Sequence, residues 1–147
     1  MIRRASIEDI PHIVKMLKEY SQSINIKCAA DVFSTPKVSK LVSSSINEGY
    51  VWVFEKDGEI RGSLVAREQI NMFTEGLLET HLIAIYVKPE YRNGTIGGRL
   101  LKTYDKQCEK NGIRVSWIGA QVTTELNNKS LERLGYNLSE QSFIKER

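Results

Sequence analysis

Three prolines, two cysteines and two histidines are all that 147 residues contain of the types that mark rigid loops, disulfide frameworks and metal clusters. Cys28 and Cys108 show no paired-motif spacing, and a single bridge is a weak scaffold for a domain this size, so both are read as reduced thiols. With no clustered Cys or His, no metal is expected. No apolar run is long enough to span a bilayer, and the opening "MIRRASIEDI" has two arginines but no apolar stretch after them, which points to a cytoplasmic protein without a membrane partner. Charge of one sign is also scarce: 21 basic against 18 acidic residues give +3, interspersed and not blocked into a tail. That is too mild for nucleic acid, and Lys102, Lys106 and Lys110 are more simply a solvated helix face.

What is present is enough for one core: 41% hydrophobic residues in a chain the length of one domain, residues 1–147, with no repeat or linker. Ile2 to Ala5 suits a short strand. Ser6 with Asp9 resembles a capping box, and Ile10, Ile13, Val14 and Leu17 recur at helical spacing as far as about Tyr20. After an irregular stretch from Ser21 to Ser34, Thr35-Pro36 opens a second helix with Val38, Leu41, Val42 and Ile46 on its apolar face and Gly49 as its stop. "YVWVFEKDGEIRGSLVARE" reads as a hairpin turning at Asp57-Gly58. Beyond a loop from Asn71 to Gly76, Leu77 to Val87 is a central strand, expected to be buried on both faces in its second half. Ile96 to Asn111 is an amphipathic helix with Leu100, Leu101, Tyr104 and Cys108 on one stripe and Gly112 behind it. Val115 to Val122 forms the next strand, Leu126 to Leu134 a short helix ending at Gly135, and Phe143 to Lys145 a last strand. This order describes a mixed sheet covered by helices on both sides.

Asn93-Gly94 is a hairpin dipeptide, yet it stands between a strand ending at Val87 and a helix starting near Ile96. The N–H groups of Arg92 to Gly98 are therefore left at a helix N-terminus, which suits a phosphate or pyrophosphate. Gly94, Gly97 and Gly98 admit close approach of a ligand to the backbone, with Arg92 and Arg99 nearby; equally, Gly97-Gly98 allows close packing of helix on sheet. Neither GxxxxGK[ST] nor GxGxxG is present.

"IYVKPEYRNGTIGGRLL" resembles the acetyl-coenzyme A loop of the GCN5-related N-acetyltransferases, V-x-P-E-Y-R followed by R-x-x-G-x-G/A and a helix with L-L. "LERLGY" at Leu131 to Tyr136 is similar to that family's "YERLGF" ending, and the order of elements fits nearly the whole chain. The resemblance implies an α/β fold with a mixed, mostly antiparallel central sheet, helices on both faces, and strands splayed at the cofactor cleft. It implies an enzyme moving an acetyl group from acetyl-coenzyme A, its acyl donor, to a primary amine by direct attack in a ternary complex. Arg92, Asn93, Gly94, Thr95, Ile96, Gly97 and Gly98 would wrap the pyrophosphate, and the main chain of Ile85 and Val87 would bond the pantetheine arm. Thr95 replaces the first Gly of the pattern, Leu131 stands where a thiolate-protonating Tyr is common, and Thr124 replaces an Asn for which Asn127 or Asn128 compensates. A homodimer is a family-level expectation. The alternative class is a catalytically weak or inactive coenzyme A-binding regulatory module.

A primary amine with a pKa of about 10 must lose its proton before it attacks. Glu79 and His81, two apart on one face of the strand, are the candidate bases: His81 as a neutral imidazole, Glu79 through a water or as an attractor of the cation. His12 is expected on the surface. The segments 21–34 and 71–76 would line the acceptor side, where a small-molecule amine and a peptide or protein amine both remain open.

Overall fold

The computed structural model describes residues 1–24, 26, 28, 31–119 and 128–147. Alternation of side chains along three long strands organises it. Strands β1 (Ile2–Arg4), β2 (Val51–Lys56), β3 (Glu59–Ile70), β4 (Leu78–Val87) and β5 (Val115–Ile118) lie side by side in chain order, antiparallel except for the parallel pair β4–β5. Val51, Val53 and Val65 point to one face, where helices α1 (Ile10–Ser23) and α2 (Thr35–Glu48) bring Ile13, Leu17 and Val42. Trp52, Leu64 and Ala66 point to the other, covered by Leu100, Leu101 and Tyr104 of α3 (Ile96–Lys110) and by Leu131 of α4 (Asn128–Arg133). The period of two puts an apolar row on each side of the sheet, so each side needs its own helices.

Local signals set the boundaries. The Ser6 N–H donates to the Asp9 carboxylate at 2.8 Å ahead of α1. Pro36 opens α2 and Gly49, at φ 87°, closes it. Asp57 and Gly58 both have positive φ, 53° and 74°, the turn that matches strand twist in a two-residue hairpin. Among the described residues no helix is long and apolar enough to cross a membrane.

Several expectations change. Helix α1 runs to Ser23, past Tyr20. The strand expected to reach Val122 ends at Ile118, and positions 120–127, including Thr124 and Asn127, lie outside the described residues. Phe143 to Lys145 is irregular: Phe143 is 93% exposed, and two apolar residues beside a charged end have no face to bury against. The second half of β4 is not buried on both faces. Ala84 and Tyr86 are buried towards α1, whereas Ile85 and Val87 are only half-buried on the α3 side.

Candidate active site

Strands β4 and β5 pair over four rungs, from Glu79–Val115 to Leu82–Ile118, and then part. On the opposite side the register between β3 and β4 slips at the same height: Val65 faces Ala84, Ala66 faces Leu82, and Ile83 is an extra residue. Such a bulge bends its strand and adds twist, which carries the end of β4 away from β5. The Lys88 N–H donates to the Arg61 carbonyl at 2.9 Å. The peptide groups of Lys88 and Tyr86 therefore face β3, and alternation turns those of Val87 and Ile85 to the opposite edge. Arg92 Nε donates to the Val87 carbonyl there, at 2.8 Å. Among the described residues no strand pairs with this edge beyond Leu82. An edge of this kind accepts an amide-bearing extended ligand as a further strand.

The edge leads into the start of α3. Pro89–Tyr91 forms a single 3₁₀ turn, with the Tyr91 ring beneath the Arg61 guanidinium at 5.2 Å. Gly94 N–H donates to the Arg92 carbonyl, so it is turned back into the loop. Thr95 caps the helix at φ −100°, an ordinary conformation for a side-chain-bearing residue, and its carbonyl accepts from Arg99 N–H at 2.9 Å. Replacing the family's glycine by Thr95 thus imposes no backbone strain. As the first three helical residues, Ile96, Gly97 and Gly98 have N–H groups with no acceptor inside the helix.

The glycines there are not explained by packing. Among the described residues a methyl group at Gly98 would meet nothing within 4 Å, and one at Gly97 only Val87 Cγ2 at 4.0 Å. Neither has positive φ. What their missing side chains leave is open access to the N–H groups of the first helical turn. By contrast Gly62, under the same turn, is truly crowded, with a Cβ position 3.2 Å from the Tyr86 carbonyl and 3.5 Å from Ile96 Cγ2. Of the two arginines, Arg92 lies over the Tyr86 ring at 5.2 Å and Arg99 over Phe54 at 5.9 Å, so both guanidinium groups rest on aromatic rings of the sheet.

Glu79 and His81 are brought together at the other end of the parting. Glu79 is 3% exposed and accepts from four donors: Gln69 Nε2 at 3.1 Å and His81 Nε2 at 2.9 Å on Oε1, Asn71 Nδ2 and Trp117 Nε1 at 3.0 Å each on Oε2. These bonds, Asn71's first among them, pull its carboxyl down to about 2. Burial works the other way, yet with these donors the carboxylate is anionic throughout the neutral range. The His81 side chain is 34% exposed and stacks on Trp117, ring centroids 6.1 Å apart and 25° from parallel. Gln69, Asn71 and Trp117 did not stand out in the sequence. Trp117 meets His81 only because β4 and β5 are parallel, which no local pattern encodes.

Behind the site, Thr80 Oγ1 lies 2.7 Å from Tyr104 Oη and 2.9 Å from Ser116 Oγ, a buried network tying β4 to α3 and β5. Leu131 packs into the core with Leu100 and Tyr104. His12 is exposed on α1. Among the described residues no three His, Cys, Asp or Glu side chains converge on a common point.

The fold matches solved structures at low sequence identity. A GCN5-related N-acetyltransferase from Ralstonia eutropha aligns with TM-score 0.77 and 16% identity, over 99% of this chain and 97% of that one. Ribosomal-protein-alanine N-acetyltransferase from Brucella melitensis gives 0.75 and 16%, over 100% and 98%. A predicted acetyltransferase from Clostridium acetobutylicum, solved with acetyl-CoA, gives 0.72 and 13%, over 99% and 95%. No curated protein resembles the chain in sequence. The acetyltransferase (GNAT) family model matches residues 15–136, which hold the parted strands, the glycine-opened helix start and the Leu131–Tyr136 ending, and the chain belongs to that family.

Proposed function

We propose that this protein transfers an acetyl group from acetyl-coenzyme A to a primary amine, by direct attack within a ternary complex. The observation that carries the reading is the edge of β4 at Ile85 and Val87, which no strand among the described residues pairs with, followed by a first turn of α3 where Gly97 and Gly98 are needed neither for packing against the described residues nor for φ. The cosubstrate supplies the activated acyl group as a thioester. Ile85 and Val87 would hold its amide-bearing arm along the edge of β4, and Arg92 to Gly98 would hold its pyrophosphate, with Ile96, Gly97 and Gly98 N–H as donors. The Glu79–His81 pair, on the paired rungs just before the strands part, would take the proton that the amine must lose. Leu131 is committed to the core, so no acid acts from that position, and a thiol with a pKa of about 8.5 needs none to leave. Segments 21–34 and 71–76 would meet an acceptor that is a small-molecule or a peptide amine.

Calorimetric titration with acetyl-coenzyme A, beside a Gly97→Trp variant, tests this. Binding by the native chain that the variant loses is expected; binding by neither removes the basis of the reading. Cofactor binding without turnover across a panel of amines would instead favour a coenzyme A-binding regulatory module.

A further inference from the structure

We propose that His81 Nδ1 is the atom that takes the amine's proton, and that Glu79, held by Trp117 and Asn71, is a positioning residue that fixes the histidine's tautomer. This rests on the acetyl-transfer reading and assigns roles within its site. A carboxylate offers about four lone-pair positions, and those of Glu79 are taken by four N–H donors. None remains to receive a proton or to hold an activated water. Glu79 is also sequestered from solvent, so it cannot deliver a proton onward.

The direction of each bond is fixed by its surroundings. The Trp117 indole can only donate. Asn71 Oδ1 accepts from the Phe73 N–H at 3.0 Å, which turns its amide nitrogen to Glu79. Gln69 Oε1 accepts from Arg67 Nη2 at 3.2 Å, which does the same for its own nitrogen. Facing an acceptor-only carboxylate, the neutral His81 ring carries its hydrogen on Nε2 and presents the lone pair of Nδ1. The stack on Trp117 holds the ring plane, and the side chain is partly exposed, as a base that meets both substrate and water must be. In the transfer the neutral amine nitrogen attacks the thioester carbonyl carbon, the new C–N bond replaces the C–S bond, and coenzyme A leaves as its thiolate, which takes a proton from solvent. The proton lost by the attacking nitrogen passes to Nδ1, the resulting imidazolium is balanced by Glu79, and that proton then leaves to solvent. Arg67, the partner of His81 on β3, is a further charged side chain opposite it and is already engaged with Gln69. Trp117 sits on β5 one rung before the strands part, so the base and the cleft share one support.

The tautomer can be read without cofactor or acceptor, by long-range proton–nitrogen correlation on protein labelled at its two histidines, with His12→Gln to assign the signals. The native protein is expected to show the Nε2–H form of His81, and Glu79→Gln a mixture. Once an amine is found, His81→Asn should lower kcat on the order of 10²–10³-fold with the amine KM little changed. Glu79→Gln and Trp117→Phe, the latter keeping the stacked ring, should lower kcat about tenfold or less at unchanged acetyl-coenzyme A affinity. An Nδ1–H ring in the native protein, or a greater loss from Glu79→Gln than from His81→Asn, would overturn the assignment. Failure to bind acetyl-coenzyme A would instead defeat the acetyl-transfer reading and leave the tautomer result standing.

Discussion

Replacing Gly97 and Gly98 together by alanine should make the protein more stable and a worse binder of acetyl-coenzyme A. Both residues lie in the first turn of α3, neither has positive φ, and among the described residues the added methyls meet nothing closer than Val87 Cγ2 at 4.0 Å. Alanine therefore brings no clash, and it removes the extra backbone entropy that glycine loses on entering a helix, about 0.5–1 kcal/mol per site. Two sites give about 1–2 kcal/mol, or roughly 2–8 °C in Tm for a chain this long. The same methyls stand over the N–H groups proposed to face the pyrophosphate, and a tenfold weaker Kd, about 1.4 kcal/mol, is the least expected. Thermal unfolding by circular dichroism without ligand, then calorimetric titration, reads the two effects separately. Gly62→Ala is the control: its methyl would press on the Tyr86 carbonyl at 3.2 Å, so stability should fall. If the double variant melts lower than the native chain, the glycines serve packing. If it melts higher and binds as tightly, open access to the helix start is not what they provide.

Thr80→Val keeps the shape of a fully buried residue but strands Tyr104 Oη and Ser116 Oγ; a loss of about 1–3 kcal/mol in urea denaturation is expected, and no loss would mean that the network is not formed. Asp9 binds Arg3 through two bonds of 2.7 and 3.0 Å and accepts from the Ser6 N–H, and the Arg3 bond chiefly draws its carboxyl down to about 2. Because the folded value lies below the unfolded one, this contribution of about 2 kcal/mol is present above pH ~4 and lost as pH falls towards 2. Asp9→Asn should flatten the acid limb of stability over that window without abolishing it, since Glu79 titrates there too; an unchanged limb would refute the pairing.

Elements announced by local chemistry were legible in the sequence. The capping pair Ser6 and Asp9, Pro36 at a helix start, Gly49 at its end and Asp57-Gly58 in the hairpin each satisfy a backbone requirement within a few residues, and each stands where that requirement places it. Phe143 to Lys145 shows the limit of such reading: a strand needs an edge to pair with and a face to bury, and neither is a property of three residues. The open start of α3 was half legible. Glycine spacing indicated close approach, but whether helix or ligand makes that approach was decided only by the empty space at Gly98 against the crowding at Gly62.

The arrangement of β4 was the least legible, because it turns on a bulge without a sequence signal of its own. A strict period of two would put residues 79, 81, 83, 85 and 87 on one face. The extra residue at Ile83 interrupts that count, so Ile85 and Val87 fall on the α3 side with Thr80 and Leu82, while Ala84 and Tyr86 join the core under α1. Glu79 and His81, alternating with Thr80, are left on the face opposite α3, where Gln69 and Trp117 meet them. One residue of slippage thus assigns the end of β4 that leads to the helix start and the Glu79–His81 pair to opposite sides of the sheet, next to the point where β4 and β5 part. On the proposed reading, donor and acceptor need not compete for one surface. The amine comes from the α1–α2 side, the cofactor from the start of α3, and the gap between the two strands is where they would meet, as direct transfer in a ternary complex requires.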